Sequence, residues 1–136
     1  MRSLLFGAVI LLITACVARA GEELRPNIIY FLIDDLGRND VGFMGGKEIN
    51  TPNIDKLAHQ GSVLDSYYVQ PLCSPTRAAF LTGRYPMRYG LQSGVVKPWA
   101  EYGLPLEETT LAQDLHAAGY VSGIFGKWHL GLIAPE

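Results

Sequence analysis

Six consecutive apolar residues, Ile28-Ile29-Tyr30-Phe31-Leu32-Ile33, are followed at once by Asp34-Asp35. A run with no polar alternation fits a strand buried on both faces, the signature of a parallel sheet covered on either side by helices. It therefore calls for layers above and below. The two carboxylates fall at the carboxyl end of that strand, where open α/β sheets place their ligands. Side by side they repel unless a cation or several donors lie between them, which favours a metal site over a solvated turn.

The segments that follow supply the covering layers. Thr51-Pro52 reads as an N-cap and first-turn proline for a helix with Ile54, Leu57 and Ala58 on one face, ended by Gly61. Residues 63–69 predict a strand that delivers the chain to Cys73. Ser74-Pro75 predicts an N-cap and first helical position, with a helix running through Ala78, Ala79, Phe80 and Leu81 to Gly83. Residues 85–102 predict a long loop, in which Arg88 and Trp99 are candidate cleft contacts and more simply surface residues. A cap-like stretch at 107–110 opens a helix with Leu111, Ala112, Leu115 and Ala118, stopped by Gly119. Residues 120–125 predict a further strand, after which an extended 126–131 would point Lys127 and His129 to one side. His59 and His116 sit near predicted helix ends, where favourable interaction with the helix terminus is their simplest role. Strand, helix, strand, helix, strand in this order predicts an α/β fold with a parallel sheet.

The first twenty residues bear on where the chain works. A positive start, an apolar run over 4–17 and Ala18-Arg19-Ala20 predict a secretory signal peptide over residues 1–20, with the catalytic segment spanning 21–136. The run is short for a membrane span. Ile13-Thr14-Ala15-Cys16 also resembles a bacterial lipoprotein processing site, which would leave a lipidated Cys16. Cleavage at residue 20 removes two arginines and leaves 9 basic against 13 acidic residues, a net charge of −4 that argues against a nucleic-acid partner. Cys73 is then the one cysteine left. In an exported protein it has no intrachain disulfide partner and is expected to be reactive, intermolecular or modified, with a buried small hydrophobe as the plain alternative. At a helix N-terminus beside Arg77, it occupies a place that favours an anion.

Three blocks, residues 26–35, 73–84 with Cys73-x-Pro75-x-Arg77 and Leu81-Thr82-Gly83-Arg84, and 126–131 with Gly-Lys-Trp-His-Leu-Gly, together resemble the N-terminal part of the sulfatase family of the arylsulfatase type. Residues 68–73 resemble the arylsulfatase B type, which acts on sulfated N-acetylgalactosamine. The resemblance implies an alkaline-phosphatase-like sandwich of which only the N-terminal portion is present. It implies that Cys73 is oxidised to formylglycine by a formylglycine-generating enzyme during export, the aldehyde hydrate being the nucleophile toward a sulfate ester, including sulfated glycans. Asp34, Asp35 and residue 73 would share one Ca2+, which takes oxygen ligands. Arg77 would orient the hydrate, Lys127 would contact the modified residue or the sulfate, and His129 would act as the base that regenerates the aldehyde.

The family pattern also carries later metal ligands, a second histidine, a further lysine and a C-terminal subdomain beyond Glu136. The 136 residues are accordingly expected to behave as a fragment with little activity alone. A phosphonate or phosphodiester hydrolase of the same superfamily and a non-catalytic truncated product are the alternatives. The expected placement is the secretory pathway, lysosomal or extracellular in a eukaryote and periplasmic or a membrane-anchored lipoprotein in a bacterium. The oligomeric state, the host and the particular sulfate ester stay open.

Overall fold

The computed structural model describes residues 25–132; the expectations for a leader over 1–20 and for Cys16 lie outside the described residues. The chain divides into two units, Met1–Ile33 and Asp34–Glu136. In the first, residues 27–33 carry no helix or strand assignment, and Ile29 and Phe31 are largely exposed.

The second unit holds three helices, α1 (Pro52–Gln60), α2 (Cys73–Thr82) and α3 (Leu111–Ala117), with 3-10 turns at Arg38–Asp40, Gly42–Met44 and Pro86–Arg88. Each helix begins and ends for a local reason. Thr51 precedes the Pro52 that opens α1, but its hydroxyl caps no helix N–H. Instead it accepts from the Gly42 N–H at 2.8 Å and donates to Asp55 Oδ1 at 2.8 Å, while the same oxygen accepts from the Phe43 N–H at 2.9 Å. This ties the Gly42–Met44 turn to the first turn of α1. Gly61 ends α1 with its N–H on the Leu57 carbonyl. Thr110 caps α3 in a reciprocal box with Gln113, and the chain turns away through Gly119 at φ +87°. Gly83, at φ +63°, closes α2 in the left-handed conformation.

A small core lies between α2 and the long loop. Ala78, Leu91, Val96 and Leu130 are buried, with Leu81, Tyr89, Ala100 and Leu104 packed against them. The loop predicted over 85–102 thus contributes Leu91 and Val96 to the interior. The backbone of Gly103 passes so close to Leu130 that a Cβ would collide with its carbonyl oxygen, which accepts the Leu104 N–H at 2.8 Å.

The three predicted strands are not formed. Among the described residues there is no strand, residues 65–66 make a turn, and Val121 and Phe125 are 98% and 97% exposed. The physical reason is that a parallel strand is defined by the neighbours that accept and donate its ladder bonds. Apolar composition specifies that a segment seeks such neighbours and cannot substitute for them.

Candidate active site

The N-terminus of α2 organises the site. Leu72 is extended at φ −135° and ψ 155°, and its carbonyl receives the first helical bond from the Thr76 N–H at 3.0 Å. Helix therefore begins at Cys73, with Leu72 as the capping position, two residues earlier than Ser74-Pro75 predicts. Pro75 is tolerated there because the first-turn N–H groups lack intrahelical partners. Ser74 does not cap. Its buried hydroxyl donates to the His129 carbonyl at 2.7 Å and accepts from the Val96 N–H at 3.0 Å. Cys73 is a free, half-buried thiol at the first helical position.

One turn along the same face, Arg77 reaches the 127–131 segment. Its Nη1 donates to the Lys127 carbonyl at 2.5 Å and its Nη2 lies 3.6 Å from Asp34 Oδ2. Lys127 Nζ hydrogen-bonds to the same Asp34 oxygen. The Lys127 hydrogen bond, helped by the charges of Lys127, Arg77 and His129 and opposed by desolvation, holds Asp34 below the usual carboxylate range. Lys127 is pushed up, chiefly by that bond and further by the charges of Cys73 and Asp34. The sequence places Asp34, Arg77 and Lys127 far apart; the fold brings them together.

His129 adopts φ +61°, so the segment is not extended and strand alternation does not set its side chain. Lys127 and His129 nevertheless border one cleft of about 200 Å3, with Val96, Lys97, Pro98, Trp128, Gly131 and Leu132. Burial, then the Lys127 and Arg77 charges, depress the His129 pKa; Asp34 opposes them and Lys97 adds a smaller depression. A lowered pKa favours the neutral imidazole, the form that can accept a proton. His129 Nδ1 and Arg77 Nε are buried without a hydrogen-bond partner among the described residues.

Asp35 stands next to Asp34 at φ +55°, a conformation that Asp tolerates better than most residues. Among the described residues no group of three His, Cys, Asp or Glu side chains is arranged to hold a metal ion. Asp34 is engaged with two cationic side chains instead. His59 and His116 lie in the last turns of α1 and α3, and Arg88 and Trp99 are exposed and do not line the cleft. Sequence reasoning missed Lys97 and the bridging role of Ser74. Lys97 lies in a loop without periodicity, and Ser74 carries a capping signal that the backbone does not use.

Comparison with known proteins bears on this arrangement. The protein-family model described as Sulfatase matches residues 26–135. Arylsulfatase A of Bos taurus is 52% identical over 112 residues, covering 82% of this chain and 22% of that protein. Steryl-sulfatase of Homo sapiens is 50% identical over 114 residues, covering 79% and 20%. The solved structure of Ps i-CgsB in complex with k-i-k-neocarrahexaose superposes with a TM-score of 0.70 at 42% identity, over 74% of this chain and 22% of that one. The chain therefore spans about a fifth of the length of the relatives it matches.

Proposed function

The chain belongs to the sulfatase family, and on that premise we propose that it supplies the nucleophile end of a sulfuric ester hydrolase active site, with Cys73 as the precursor of formylglycine. The observation that carries this reading is the meeting of Arg77, Lys127 and Asp34 beside the first turn of a helix that opens at Cys73. Two cationic groups and unpaired helix N–H groups suit a sulfate ester. The alkaline-phosphatase-like sandwich of the family provides the sheet that residues 28–33 and 120–125 are patterned for.

In this reading Arg77 orients the hydrated aldehyde at position 73, and Lys127 contacts that residue or a sulfate oxygen. His129, whose pKa is lowered by burial and its cationic neighbours, takes the proton from the remaining hydroxyl as the C–O bond to sulfate breaks and the aldehyde returns. Asp34 and Asp35 are the carboxylates that would hold calcium, together with residue 73. The oxygens of these carboxylates match a hard cation, and the Asp34 oxygen that would face it is here paired with Lys127 and Arg77. When bound, calcium withdraws charge from the sulfate oxygens. The two carboxylates and residue 73 fall short of the roughly six to eight oxygens such an ion takes, so the 136 residues alone are proposed to release little sulfate.

The substrate is a sulfate ester. The hexaose complex of Ps i-CgsB favours a sulfated glycan, whereas identities of 52% to an arylsulfatase and 50% to a steryl-sulfatase do not separate substrate types. The partner during export is a formylglycine-generating enzyme, which places the chain in the secretory pathway; among the described residues no helix is long and apolar enough to cross a membrane.

The test is co-expression with that enzyme, followed by mass spectrometry of the peptide containing Cys73. A loss of about 18 Da marks thiol replaced by aldehyde. In parallel, bovine arylsulfatase A carrying residues 26–132 of this chain in place of its own segment is assayed on an aryl sulfate and an aryl phosphodiester. Sulfate release with the mass loss supports the reading. Unmodified Cys73 with no sulfate release rejects it, and preferential phosphodiester turnover assigns the site to the related hydrolase class.

A further inference from the structure

We propose that Ser74 is a positioning residue, whose hydroxyl fixes the His129 backbone against the helix of residue 73 and so sets where the His129 imidazole stands. A serine hydroxyl offers one donor and can accept. Here the donor is spent on the His129 carbonyl at 2.7 Å, and the acceptor on the Val96 N–H at 3.0 Å. Ser74 is 1% exposed, its bond from Val96 is buried and its bond to His129 is partly so.

Three features make this more than a packing contact. Ser74 follows Cys73 directly, so any movement of the first turn of α2 is passed to His129 through one hydrogen bond. Three residues on, Arg77 holds the Lys127 carbonyl. Ser74 and Arg77 therefore grip two carbonyls of one short segment from a single helix face. Finally, His129 stands at φ +61°, which a non-glycine residue keeps only where the surroundings impose it. The peptide that follows is held from Ser74, and the next carbonyl, that of Leu130, is held by Leu104. With the backbone pinned on both sides, the Cα–Cβ direction of His129 is fixed, and Nδ1 is kept in a buried position. The charged groups facing the imidazole are Lys127, Arg77, Lys97 and Asp34, and their distances to it depend on that direction.

The catalytic consequence rests on His129 as the base, but the positioning is measurable without it. The His129 imidazole resonances of the whole chain are followed by NMR against pH in the unsubstituted protein, Ser74→Ala and Ser74→Thr, together with exchange of the Val96 amide. In Ser74→Ala, Val96 exchange accelerates by about tenfold or more as its acceptor is lost. The His129 midpoint shifts upward toward the ordinary histidine value, with the backbone shifts of α2 and α3 unchanged. Ser74→Thr keeps the hydroxyl and restores both.

An unmoved His129 midpoint in folded Ser74→Ala overturns the proposal. So does failure of Ser74→Thr to restore it while the helices are intact. If Ser74→Ala does not fold, the unsubstituted chain decides: a slow Val96 amide and a depressed His129 midpoint that Ser74→Thr shares support positioning, and rapid exchange at Val96 overturns it. None of these readouts depends on modification of Cys73, so failure here is distinct from failure of sulfate release.

Discussion

The segments 73–84 and 127–131 are both held by contacts named atom by atom, whereas residues 120–125, only two positions before the second of them, hold almost nothing. Arg77, Ser74 and Gly103 pin the first pair of segments through side chains and close backbone approach. Val121 and Phe125 meet solvent almost completely. The difference is one of range. A helix satisfies its backbone within itself, and a side chain can reach the next segment from it. A strand satisfies nothing until other strands arrive. The polar constellation consequently takes shape inside residues 34–131, while the apolar pattern around it points to a sheet.

The largest expected effect lies on the ordered side. In the bovine chimera, His129→Ala removes the proposed base and should lower turnover of an aryl sulfate by about 100- to 10,000-fold. Unchanged turnover would move the base elsewhere and strip the constellation of its chemical reading. Next comes Leu130→Ala, which empties a site only 2% exposed beside Ala78, Leu91 and Val96. Loss of about 2–5 kcal/mol in chemical denaturation is expected. A loss below about 1 kcal/mol would show that this small core does not hold the 127–131 segment to α2.

How far these features could be read in advance follows the same division. Gly61, Gly83 and Gly119 mark helix ends because left-handed or open backbone at a stop is a local requirement. Thr110 with Gln113 is a local capping signal and is realised as one. Ser74 carries an equally good capping signal and is used otherwise, because an extended Leu72 already starts the helix and two buried backbone groups, from residues 96 and 129, compete for the hydroxyl. The contact of Asp34 with Lys127 spans 93 positions. No spacing rule contains it; only the resemblance of three separated blocks puts these residues in one site. The positive φ of His129 also has no local signal, since Trp128 and Leu130 carry no turn chemistry.

A smaller effect tests whether the Asp34 contacts belong to the ordered side. The folded pKa of Asp34 lies below its ordinary value of 3.8, so its contribution to stability is complete above 3.8 and is lost as pH falls through the folded value. For Lys127 the folded pKa lies above 10.5, so the contribution is complete below 10.5 and is lost as pH rises through the folded value. Both side chains are more than a third exposed or close to it, at 41% and 34%, so salt should weaken the effect. Unfolding free energy against pH, compared with Asp34→Asn, should show both limbs flattened in the variant. Identical limbs would place the pair among surface contacts of no energetic consequence.

The smallest effect is expected at Phe125, and its smallness is what sharpens the comparison. A ring that is 97% exposed has no transfer free energy to lose, so Phe125→Ser in this chain should change stability by less than about 0.5 kcal/mol. The same substitution in the bovine chimera meets a different situation if residues 120–125 pair there as a sheet strand. Removal of a buried phenylalanine then costs about 3–5 kcal/mol. The two numbers together measure how much of the order at 120–125 is supplied by the rest of the protein. Equal small effects in both settings would mean that the apolar run is not a buried strand in either. An equal large effect would mean that the chain already buries Phe125, and that the contrast between the pinned site and its unpaired neighbour is false.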